Sequence, residues 1–199
     1  MNLSPRTKLR LLGVLPLIFF LAQGVHYWRN KEFGNLLWMC NIGNLLLAMG
    51  LFLEKPVVVR LAAIWTLPGL AVWFLYVVLV WTVFLSSFLA HVGGLAVAMV
   101  ALSKYGMDRT SWRWALGWYL VVQLASRFLT APELNVNLAH AIQPGWDRAF
   151  HSYWSFWLVL TICTIVSLWL SGLLLWRIWP ANETRITRIE NADHAEARW

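Results

Sequence analysis

Charge is scarce in this chain. Asp, Glu, Lys and Arg make up 13% of its 199 residues, about half the share found in a soluble domain. Cysteine is scarcer still: Cys40 and Cys163 are the only two, and both fall within apolar stretches. With no C-x-x-C pair, neither a disulfide framework nor a cysteine-based metal or redox centre is expected. No lysine lies in the middle of an apolar run, which sets aside a retinal Schiff base. No internal repeat relates the two halves, and no series of acids runs through the apolar segments, so a small transporter is the least supported class.

Apolar residues dominate instead, at 60% of the chain, with 15 Trp and a mean hydropathy of +0.60. Several runs reach the roughly 20 residues needed to cross a bilayer's hydrocarbon core. The expected fold is an all-α polytopic membrane bundle of six transmembrane helices, over about 9–28, 36–53, 57–80, 84–103, 114–130 and 153–179. A polar tail, 180–199, follows. The basic start, the apolar run and Ala22-Gln23-Gly24 also fit a cleaved signal peptide, and we read the segment as a retained first helix. Pro16 should kink it, Pro68-Gly69 should kink the third, and the only interruption between the third and fourth is near Trp81 and Ser86-Ser87.

The net charge of +7 is read in this setting as a mark of cytoplasmic loops and anionic lipid, not of nucleic acid. With both termini inside, twelve of the 16 Lys and Arg fall on the cytoplasmic side: Arg6, Lys8, Arg10, Lys55, Arg60, Lys104, Arg109, Arg113, Arg177, Arg185, Arg188 and Arg198. Arg29, Lys31, Arg127 and Arg148 remain outside. Both termini are therefore expected in the cytoplasm, with Arg60 snorkelling to that interface and the sequon at Asn182 on the wrong side for use.

That orientation gathers the awkward polar groups in the outer half. Cys40, Asn41 and Asn44 are spaced i, i+1 and i+4, on one side of the second helix, and polar groups in a membrane span are candidate sites by default. Cys40 should lie a few residues, about 6 Å, into that helix. His91 is expected at similar depth in the fourth helix, where Ala90, Gly94 and Ala98 form a small-residue packing face. Gln123 and Arg127 approach from the fifth helix. His26, His140 and His151 lie at outer helix ends or in the outer loop. Each has a plain structural reading: the cysteine as apolar filler, the asparagines as interhelical links, the arginine at the interface. The chemical reading takes Cys40 as a nucleophile and His91 as its base, with Asn41, Asn44, Gln123 and Arg127 binding substrate.

Leu37-Trp38-Met39-Cys40, Phe88-Leu89-Ala90-His91 and Asn135-Val136-Asn137, over about Leu36 to Ser155, resemble the YwaF-like bacterial integral membrane proteins. Those are distant relatives of transmembrane acyltransferases that remodel ether phospholipids. The resemblance implies an acyl-carrying thiol at Cys40, a base at His91, and residence in a bacterial inner (plasma) membrane. The family commonly has a histidine two positions before the cysteine, where this chain has Trp38. The competing reading is a non-catalytic scaffold or accessory subunit that binds membrane lipids, other membrane subunits or a pigment. Haem ligation by His91 and another outer histidine stays open, although no spacing singles out a partner. No cofactor and no metal are otherwise called for.

Overall fold

The computed structural model describes residues 4–80 and 83–181. Trp81 and most of the expected tail, including Asn182, Arg185, Arg188 and Arg198, lie outside the described residues. These are α-helical in the main, with no strand among them beyond one isolated pairing of Met107 with Pro180.

The first leg is two helices, α1 (Pro5–Leu12) and α2 (Val14–Arg29). Ser4 opens α1 by accepting the Thr7 N–H, and Pro5 occupies a position where no amide donor is needed. The irregularity expected at Pro16 falls at Gly13, because the proline ring presses on the carbonyl four residues back, that of Leu12. A 3₁₀ turn, Phe33–Leu37, then leads into α3 (Met39–Phe52). This corrects the continuous span expected over 36–53: Trp38, at φ −54° and ψ 137°, is extended and separates the two pieces.

Next come α4 (Pro56–Val80), the short α5 (Leu85–Phe88), a π-helical turn at Leu89–Gly93, and α6 (Gly94–Tyr105). Then come α7 (Ser111–Leu129) and α8 (Tyr153–Ile178), which bring the described residues to six helical legs. The fifth leg begins earlier than its expected start at 114. Asp108 accepts the Thr110 amide and hydroxyl protons and turns the chain into the helix there. The hub is α4, packed against α3, α6, α7 and α8. Its Trp65 is 2% exposed and donates its indole N–H to the Ala115 carbonyl of α7 at 3.0 Å.

Among the described residues four stretches are long and apolar enough to cross a membrane, Arg6–Arg29, Pro56–Leu79, Leu85–Tyr105 and Tyr153–Ile178. Leu75, Leu79, Phe128, Leu129, Trp154 and Ile162 stand exposed on the outside of the bundle, as the lipid-facing side of a membrane helix requires. The two ends of the bundle carry different chemistry. At one end Arg10 pairs with Glu54 at 2.6 Å, and the Met107 N–H meets the Trp179 carbonyl. Arg60 joins this end as well. It does not snorkel as expected: it is 7% exposed and donates to the carbonyls of Tyr105 and Gly106 at 3.1 and 2.9 Å. At the other end His26 stacks on Phe84, Ser86 donates to Gln23, and the loop after α7 folds back over the start of α3.

Candidate functional site

Three local features of the backbone frame the site, two of them breaks in regular α-helix. The first is the break at Trp38, which makes Cys40 the second residue of α3 rather than a residue several positions inside a longer helix. The second is Pro68 within α4, followed by Gly69, whose added β-carbon would lie 3.9 Å from that of Cys40. The third is the π-turn at Leu89–Gly93, which carries His91. Such a turn inserts a residue into a helix and is found disproportionately at functional sites.

Cys40 and His91, far apart in sequence, line one cavity of about 10 Å³ together with Met39, Gly43, Trp65, Thr66, Gly69 and Ala90. That volume is near the minimum for a single water. His91 is 9% exposed and oriented from two sides. Its Nδ1 lies 2.8 Å from the Ser87 carbonyl, and its ring stacks on Trp73 with centroids 5.1 Å apart. A carbonyl can only accept, so Nδ1 carries a proton, and in the neutral ring the lone pair lies on Nε2. Trp73 is itself held by donating its indole N–H to Ser87 Oγ at 2.8 Å.

The sulfur sits at a helix N-terminus, where the first amides lack acceptors and the dipole favours negative charge. Asn41 and Ile42 return their N–H groups to the Trp38 carbonyl, and the Met39 N–H goes to Asn137 Oδ1 at 3.0 Å. A thiol in this position has the Cys40 N–H for a developing oxyanion and shares its cavity with an imidazole, without a hydrogen bond between sulfur and ring.

The other expected site residues are mostly occupied by the protein. Asn44, 1% exposed, donates to the carbonyls of Cys40 and Ala90, both at 2.9 Å, so both its amide protons are used in tying α3 to the π-turn. Asn41 donates to the Asn35 carbonyl. Arg127 holds the outer loop, donating to the Ala139 and His140 carbonyls and lying over the Tyr153 ring. Gln123 is 4% exposed, with neither amide atom hydrogen-bonded to the protein, and it does not line the cavity of Cys40 and His91. Two of the three outer histidines are engaged too, and the third, His151, is exposed. His140 Nε2 lies 3.1 Å from Thr130 Oγ1 and from the Ser126 carbonyl, and His26 stacks on Phe84. Among the described residues no three His, Cys, Asp or Glu side chains come together as metal ligands.

Thr66, Trp73, Ser126 and Asn137 were not anticipated as parts of this region. Thr66 lies two residues before the Pro68-Gly69 pair, and Asn137 belongs to the Asn-x-Asn pattern of the outer loop, so both had local signals. Nothing local marks Ser126 or Trp73. Comparison with protein-family models, with curated proteins and with solved structures returned no match.

Proposed function

We propose that this is an inner-membrane protein of six spans with both termini cytoplasmic, acting on lipid acyl groups through the thiol of Cys40 and the imidazole of His91. The observation that carries the reading is the shared cavity: of the two cysteines, Cys40 is the one that lines a cavity together with a histidine. Orientation rests on the Lys and Arg asymmetry. It is supported by the grouping of the chain start, the Glu54 turn, Gly106 and Trp179 at one end of the bundle.

In the proposed reaction the sulfur attacks the carbonyl carbon of an acyl ester while His91 Nε2 takes the thiol proton. The ester C–O bond breaks, the proton passes to the departing alkoxide, and a thioester remains on Cys40. An acceptor hydroxyl then attacks that thioester, losing its proton to His91. The C–S bond breaks and the thiol is restored with its proton. The Cys40 N–H stabilises the oxyanion in both halves. A bilayer supplies both acyl donors and hydroxyl acceptors, so no further reactant is needed.

The small cavity favours a second reading, a scaffold in which Cys40 and His91 are packing residues. Labelling separates the two. In full-length protein, a lipid-soluble maleimide should modify Cys40 faster than Cys163. His91→Ala should slow Cys40 several-fold and leave Cys163 unchanged, as read by mass spectrometry. A Cys40 rate indifferent to His91 overturns the enzyme reading and leaves the scaffold. For topology, single cysteines at Asn30 and Ala181 should label from opposite sides of the membrane; labelling from one side rules out six spans.

A further inference from the structure

The side chain of Asn137 reaches across the Trp38 break. Its Nδ2 donates to the Leu37 carbonyl at 2.8 Å, and its Oδ1 accepts the Met39 N–H at 3.0 Å. One side-chain amide thus pairs with the backbone on both sides of Trp38, as a neighbouring strand would. A second Nδ2 bond, to Ser126 Oγ at 2.8 Å, ties the arrangement to α7. The residue is 7% exposed.

The loop that presents it is held against its own preferences. Asn135, Asn137 and Leu138 have φ of 41°, 54° and 57°. Asparagine tolerates that region, but leucine is rarely found there. Bracing comes from several directions. Asn135 Oδ1 accepts the amides of His140 and Ala141, Arg127 donates to the Ala139 carbonyl, and the Tyr153 hydroxyl donates to the same carbonyl. Strained backbone that persists under such bracing marks places where geometry serves a purpose.

The consequence falls on Cys40. A capping side chain ordinarily takes the amide of the second or third helical residue. Here the cap comes from a distant loop and is used on the first, Met39, so the amide of the second, which is Cys40 itself, is left for other use. We propose that Asn137 is a positioning residue for the thiol. It fixes the Trp38 break, holds the first turn of α3 so that Cys40 lines the cavity it shares with His91, and leaves the Cys40 amide for the oxyanion. This inference rests on the thiol reading above and adds to it a residue that touches no substrate.

The test is the His91 dependence of Cys40 labelling, the ratio of its rate with His91 present to its rate after His91→Ala, in full-length protein in lipid nanodiscs. A ratio cancels changes in access that merely loosen the fold. The parent ratio should be several-fold. In Asn137→Ala it should fall to about 1. In Asn137→Asp, which keeps an acceptor for the Met39 amide, most of it should survive. A parent-like ratio in Asn137→Ala overturns the positioning role while leaving the thiol–imidazole pair intact. A ratio near 1 in the parent overturns the pair itself, and the positioning role with it. Should Asn137→Ala fail to fold, Asn137→Asp decides alone: a retained ratio supports the Met39 cap as the operative contact, and a lost one refutes it.

Discussion

Both ends of this bundle bury polar groups, and they bury different kinds for different results. At the end that holds the chain start, the polar groups are charged and reach loop carbonyls or each other: Arg60 to Tyr105 and Gly106, Arg10 to Glu54. The irregular backbone there is confined to the Gly13 break and to the turns at Glu54 and Gly106, at φ 54° and 65°. At the opposite end most of the groups are amides and hydroxyls, Asn44, Asn137, Ser126 and Thr130, with His140 and the exposed Arg127 beside them, and the backbone there is broken or strained at Trp38, Leu89–Gly93 and Asn135–Leu138. Charged groups at one end close the bundle. Amide and hydroxyl hydrogen bonds at the other hold a backbone that local propensity would not adopt, and the cavity lined by Cys40 and His91 lies among them. One end stabilises, and the other positions.

Four substitutions would break or sharpen that contrast. The largest effect is expected from Arg60→Met, which leaves two buried carbonyls unpaired. It should cost about 3 kcal/mol, seen as a lower melting temperature in detergent, with the Cys40 labelling rate unchanged in the folded fraction. Gly94→Leu comes next. An added β-carbon there would lie 2.6 Å from Asn44 Oδ1, so about 2 kcal/mol of overpacking should be joined by altered Cys40 labelling. Asn44→Ala should cost about 1 kcal/mol, the usual size of an interhelical hydrogen bond in a membrane, yet change the His91 dependence of labelling more than Arg60→Met does. The smallest effect belongs to Glu54→Gln. Arg10 is half-exposed, so the loss should be about 0.5 kcal/mol and vanish at high salt. If Arg60→Met altered Cys40 labelling as strongly as Asn44→Ala, the division between the two ends would fail.

The helical class and the membrane-crossing runs are readable from composition and run length, because hydrophobic burial in a bilayer needs only long apolar stretches. The detail of the site resists such reading for identifiable reasons. The π-turn leaves no mark on the apolar pattern of Leu85–Tyr105, since one inserted residue rotates a face without changing its composition. The break at Trp38 is fixed by Asn137, which a local reading of the LLWMCN segment cannot see. The tasks of Asn44 and Arg127 depend on carbonyls that folding delivers to them, so residue type alone made them ligand-binding candidates. His91 and Cys40 were nameable as candidates, but their common cavity exists only once α3, α4 and the π-turn pack together.

The brevity of α3 bears on the membrane itself. Its 14 residues make a rod of about 21 Å, against a hydrocarbon core of about 30 Å. In the six-span arrangement, the bilayer beside this leg has to thin, or admit headgroups and water down to Trp38, at a cost that grows with each ångström of mismatch. The shortfall lies on the side where Cys40 sits, so on the proposed reading a lipid ester linkage would reach the thiol without being pulled into the hydrocarbon centre. Lipid chain length would then bear on the site, thin bilayers accommodating the short leg and thick ones straining it.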